Sequence, residues 1–144
     1  MTALSHPDQN MIALGIRQPW VELILRGIKT IEVRSRQTVK RGPIHLYASK
    51  KVAGTQAATA AIEKYGLDLD SLPRGVLVGS VELVDSKACQ ADDTKAACVL
   101  KSLLKDRFAW RLQNPQRLAE PLTVRFLPYG VWFYPFKRRN AQSR

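Results

Sequence analysis

The chain has 144 residues, of which 45% are hydrophobic and 24% charged, ordinary globular usage that excludes a wholly disordered polypeptide. This length fits one domain that buries roughly two thirds of its unfolded surface, so a core can form without disulfides or a structural metal. A formal net charge of +11 and a pI near 10.1 set it apart from most domains of this size, because such self-repulsion usually signals a polyanionic partner.

The apolar runs are too short for a transmembrane helix, and no basic cluster followed by an apolar stretch marks a secretory signal. A cytoplasmic protein without membrane contact is expected. Residues 17–51 hold nine basic and two acidic side chains, residues 107–144 eight and one, and residues 62–106 six and eight. Two basic ends around a mildly acidic middle are expected to meet in space as one patch, with nucleic acid or a nucleotide as the partner. Cys89 and Cys98 have no second pair and no nearby His, since His6 and His45 lie far off in sequence. No zinc site follows from that spacing, and reduced thiols are expected. Neither a cofactor nor a bound metal is expected.

Residues 1–10 are polar and aperiodic and read as a flexible arm. Met11 to Ile16 fits a buried strand. Pro19 opens a short helix at its first-turn position; Trp20, Leu23 and Ile24 share one face, and Gly27 ends it. From Thr30 to Arg34 the pattern alternates, with Ile31 and Val33 opposite Thr30, Glu32 and Arg34. After the basic turn 40–43, Ile44, Leu46 and Ala48 alternate against His45 and Tyr47.

Ala53 to Tyr65 is Ala-rich and predicts a helix ending at Gly66. Gly75 to Val84 predicts the best strand, with Gly79 as a bulge or bend. Residues 85–106 are polar and mixed, with one short helix around 96–104. Residues 108–112 and 122–126 predict strands separated by a loop over 113–121, and aromatic Val131 to Phe136 predicts the closing strand. Residues 137–144 form a basic tail. The strands are too closely spaced for regular βαβ units, so the expected fold is α+β, a small mixed β-barrel with helices packed at its ends.

Arg17-Gln18-Pro19-Trp20, followed by Gly27-Ile28-Lys29-Thr30-Ile31-Glu32-Val33-Arg34, resembles the ASCH domain family of the PUA-like superfamily. Further matches follow in order at Arg41-Gly42, Ala48-Ser49-Lys50-Lys51, residues 79–82, Trp110-Arg111-Leu112 and Pro121. The resemblance spans residues 11–136 and implies a single PUA-like barrel with a cleft suited to RNA or a nucleotide. It also implies a choice of roles, since family members are described as RNA-interacting, as coactivator modules that contact proteins, or as small enzymes. One enzyme branch hydrolyses the acetyl amide of N4-acetylcytidine and another cleaves single-stranded RNA. Lys29 matches the lysine of the amidohydrolase branch, while Glu32 stands where that branch carries a Thr.

Lys29, Glu32 and Arg34 are the candidate catalytic residues. Lys29 follows a helix-ending glycine, so its ammonium is expected to project into a concave mouth, holding a phosphate or, if desolvated, serving in acid–base chemistry. Glu32 and Arg34 leave the same strand face. In a ribonuclease, Glu32 would take the 2′-hydroxyl proton while Lys29 and Arg34 stabilise charge on phosphorus. In an amidohydrolase, Lys29 would activate water or a nucleophile. Trp20 and Trp110 are candidate stacking surfaces for bases; Trp132 is read as core. Arg17, Gln18, Ser49, Lys50, Lys51 and Arg111 complete the expected nucleic-acid interface, with Gln18 reading a base edge or capping the helix.

Overall fold

The computed structural model describes residues 8–137. Six strands, β1 (Ala13–Ile16), β2 (Ile31–Arg34), β3 (Gly42–Ala48), β4 (Val76–Ala88), β5 (Phe108–Leu122) and β6 (Trp132–Phe133), form one mixed sheet in the order β2-β5-β4-β3-β1-β6. Only β1 and β3 run parallel; the other pairs are antiparallel. The helices are α1 (Trp20–Leu25), α2 (Gln56–Lys64) and the single turn α3 (Thr94–Ala97). The α+β architecture is a curled half-barrel. Pairing of β2 with β5 and of β1 with β6 joins the N-terminal third of the chain to its C-terminal third.

Each helix follows from local chemistry. The Gln18 side-chain carbonyl accepts from Glu22 N–H at 3.0 Å, satisfying a free donor at the start of α1. Pro19 sits at the N-cap, one position earlier than its predicted place. Gly27, at φ +76°, turns the chain out of α1 in the left-handed conformation that glycine adopts without strain. Ile28 and Lys29 N–H then both donate to Leu23 O. At α2, Thr55 caps Ala58 N–H, and the helix gives way to Gly66 as predicted.

The inner core lies on the concave face, where Val21 and Ile24 of α1 meet Leu14, Ile44, Leu46, Val81 and Leu112. A second cluster of Ala13, Tyr47, Leu77, Leu118 and Phe133 covers the opposite face of the sheet. Strand β3 is thus buried on both sides, and His45 and Tyr47, predicted on the face away from the core, are buried too. Their cover is the 122–136 segment, including Phe136 edge-on to His45.

The largest departure from the predicted elements is β5. One strand of fifteen residues replaces two strands and a loop. Pro115 is accommodated at a bulge: Gln113 faces Glu82 and Gln116 faces Ser80, so Asn114 and Pro115 together oppose Val81. Asn114 takes φ +52° there, a conformation asparagine tolerates, and a bulge is where a strand can lack an N–H. Strand β4 likewise extends to Ala88, because residues 85–88 pair with 108–111. The closing strand is only two residues long.

Candidate functional site

The site lies where the curled sheet nearly meets itself, between edge strand β2 and the β1–β6 side. Glu32 and Arg34 face inward with Trp110, the cross-strand partner of Glu32, as alternation requires. Arg34 Nε donates to Glu32 Oε2 at 2.8 Å, and its Nη2 donates to Gly15 O at 3.0 Å. Gly15 N–H donates to Val131 O, so Arg34 takes over the β1 edge at the point where β6 stops.

Lys29 closes the polar cluster from beneath. Its ammonium donates to Ala97 O at 2.6 Å, lies 3.9 Å from Glu32 Oε1, and sits 4.9 Å from the centre of the Trp20 ring. Only 3% of it is exposed, so it does not project into an open mouth as predicted. The α1 exit turn feeds it under the barrel, where α3 supplies a carbonyl. Glu32 is the centre of the group, a buried carboxylate between two cations.

Tryptophans wall the seam. Trp110 and Trp132 stack with ring centres 5.8 Å apart and planes 11° from parallel. The Arg34 guanidinium carbon is 5.6 Å from the Trp110 ring and the Lys40 ammonium 5.4 Å from the Trp132 ring. Trp110 Nε1 donates to Arg36 O, holding the β2–β3 connection over the pair. Trp132, predicted as core, packs half-buried against the core cluster, because alternation in β6 gives the fully buried position to Phe133. Trp110, predicted as a stacking surface for bases, is instead 4% exposed inside that cluster, with Trp132 stacked on it and Arg34 over it. Lys40 and Trp132 are the residues that sequence reasoning missed. The alternation of Trp132 against Phe133 was the available signal.

Among the other expected interface residues, Ser49 lies next to Gly15 and donates its N–H to Ile16 O, while Arg17, Lys50 and Lys51 are exposed on segments flanking β1 and β3. Gln18 is fully buried, its amide committed to Glu22 N–H and Pro73 O. Arg111 falls on the opposite sheet face from Trp110 and pairs with Asp93 at 3.2 Å; it does not join the cluster. Among the described residues no group of three or more His, Cys, Asp and Glu could hold a metal, and Cys89 and Cys98 are free thiols.

Desolvation holds the Lys29 pKa below its ordinary value of 10.5, with Glu32 pulling the other way. Between the lowered folded value and the ordinary unfolded one, the unfolded chain binds more protons. Stability due to this group therefore rises with pH across that window. Burial raises the Tyr47, Cys89 and Cys98 pKa values, an effect of opposite sign in alkaline solution, so the comparison must be differential. The unfolding free energy of the native chain minus that of Lys29→Met should increase from neutral pH toward pH ~10. Urea titrations at several pH values giving a constant difference would show that Lys29 titrates as an ordinary lysine.

A half-barrel of six strands plugged by a short helix, with a polar cluster and aromatic wall at its seam, defines a domain of the PUA-like class. The chain belongs to the ASCH domain family, whose model matches residues 14–122. It is 35% identical over 126 residues to activating signal cointegrator 1 of Homo sapiens and to that of Mus musculus, an alignment covering 83% of this chain. The chain spans only 21% of the length of those relatives. Among solved structures, ASCH from Zymomonas mobilis matches with a TM-score of 0.58 at 14% identity, covering 94% of this chain and 92% of that one. A single-substitution variant of the same protein matches with a TM-score of 0.57 at 16% identity, over 90% of each chain. At that identity the structural likeness concerns the fold alone. No helix among the described residues is long and apolar enough to cross a membrane.

Proposed function

We propose that this ASCH domain binds RNA or a nucleotide in the cleft at the barrel seam, with residues 11–136 as the folded unit; the arm and tail expected over 1–10 and 137–144 lie almost wholly outside the described residues. The supporting observation is half-buried Trp132, stacked on buried Trp110 and carrying Lys40 over its ring, with Arg34 over Trp110, on a chain of net charge +11. Bases stack on tryptophan for about 1–3 kcal/mol each, and the cations meet phosphates. Arg17, Ser49, Lys50 and Lys51 are the surface groups that would extend the contact along the backbone of a strand.

Titration with a single-stranded oligoribonucleotide at several salt concentrations tests this reading. About four phosphate contacts would give a log–log slope near −2.8, roughly a 50-fold loss between 50 and 200 mM salt. Trp132→Ala should weaken binding about tenfold or more, whereas Lys105→Ala, on exposed surface outside the cleft, should weaken it slightly. A slope near zero would point instead to a protein partner, the reading suggested by the word cointegrator in the names of the relatives. Equal small losses for both variants would reduce the cleft to ordinary charged surface.

A second reading uses the same cleft for catalysis. Desolvation of Lys29 favours it, while Glu32 pulls Lys29 back toward its ammonium form and a substrate would have to reach a side chain only 3% exposed. A lysine with a lowered pKa is easier to use as a base. Incubating labelled RNA and acetylated cytidine with the protein, with and without divalent metal, separates this reading from binding alone. Unchanged substrates throughout would exclude it.

A further inference from the structure

A cavity opens away from the seam, between α2 and the α3 turn, with a volume of about 530 Å³. Its walls are apolar: Ala57, Ala60 and Ala61 of α2 face Val99 and Leu100. Leu100 is 72% exposed, a large apolar side chain left in water at the mouth. The polar groups at the rim are nearly all donors or cations. Lys64 and Lys95 line it, and neither makes an ion pair among the described residues; Lys64 has only the Tyr65 ring, 5.4 Å away. The Gln56 amide and Thr94 hydroxyl line it too, without a hydrogen-bond partner among the described residues. No lining residue is acidic.

We infer that this cavity binds a small amphiphilic anion, an apolar body carrying one carboxylate or phosphate head held between Lys64 and Lys95. The volume falls in the range of small-molecule sites, which pair apolar walls with a few convergent polar groups. Lys64 and Lys95 have no acidic partner among the described residues. An anionic head offsets part of their charge as a carboxylate, or most of it as a phosphate, while accepting from their ammoniums, Gln56 and Thr94. The apolar body covers the alanine face and Leu100. This site shares no residue with the tryptophan wall, so it stands whether or not the seam binds RNA.

The test uses the full chain and four eight-carbon probes: octanoate, octyl phosphate, octanol and octyltrimethylammonium. Binding is followed by calorimetry and by the amide NMR shifts of Ala60 and Val99. The anions should bind, octanol about tenfold more weakly, and the cation weakest. Preference between octanoate and octyl phosphate identifies the head. Ala60→Trp fills the cavity from an exposed helix position and should abolish binding of the anions, while Lys95→Glu should weaken it about tenfold with the fold intact by NMR. Octanol binding as tightly as the anions, no binding of either anion at millimolar concentration, or full binding by Ala60→Trp would each overturn the inference.

Discussion

Replacing Glu32 by Leu should destabilise the protein by about 3 kcal/mol, the lower end of the cost of breaking a buried ion pair from one side. The carboxylate is 6% exposed and has Lys29 on one oxygen and Arg34 on the other. Once it is gone, the Lys29 ammonium remains buried with only the Ala97 carbonyl and the Trp20 ring for company. Arg34 is better placed, since 23% of its side chain reaches solvent and it keeps Gly15 O; hence the lower end. Two companions sharpen the result. Glu32→Gln retains an acceptor for Arg34 and should cost less, and Lys29→Met with Glu32→Leu should cost less than the sum of the single variants, because the buried charge leaves with its partner. Urea unfolding of the native chain, Glu32→Leu, Glu32→Gln, Lys29→Met and the double variant measures all of these costs. A loss below about 1 kcal/mol for Glu32→Leu would place the cluster among ordinary surface pairs.

Gly79→Ala should cost about 3 kcal/mol, at the top of the usual range for overpacking. A Cβ at Gly79 would collide with the Gln116 carbonyl of β5 and come within 2.7 Å of Leu25 Cδ2. Leu25 can turn away, but the carbonyl belongs to the sheet and sits just beyond the bulge that admits Pro115. Relief would require separating β4 from β5 or lifting the end of α1 from the concave face. Gly54→Ala is the matched comparison, because nothing lies within 4 Å of its added carbon; it should be neutral or slightly stabilising. Equal melting temperatures for the two variants would mean that the sheet yields at Gly79 without cost.

Local patterns in the chain carried α1, α2 and the strands β1 to β3 well. The helix expected around 96–104 is instead the α3 turn and a separate 3-10 turn over Lys101–Leu103, and no strand covers 123–126. The Gln18-Pro19-Trp20 start, the glycines after α1 and α2, and the face shared by Glu32 and Arg34 all have causes within a few residues, and each appears in the structure. What stayed hidden depends on neighbours distant in sequence. Asn114-Pro115 reads as a loop signal until a partner strand offers a bulge to absorb it. His45 and Tyr47 alternate like solvent-facing residues because the 122–136 cover cannot be inferred from β3 itself. Lys29 falls in the expected cluster, but its burial depends on the α3 carbonyl 68 positions away. Trp132 had an aromatic context that fits core or wall equally well, and only the curl of the sheet against Trp110 distinguishes them.

The way Arg34 and the tryptophan stack bridge the seam also bears on how the molecule behaves among its own copies. The sheet's two outermost strands are four and two residues long. An exposed, extended edge is a template onto which another polypeptide can zip its backbone. Here Gly15 O, just past the last β1–β6 pair, is occupied by a guanidinium. A neighbouring chain would meet outer edges only four and two residues long and, at Gly15, a fixed positive charge. Short edges and an inward charge are among the devices that leave another copy little backbone on which to pair.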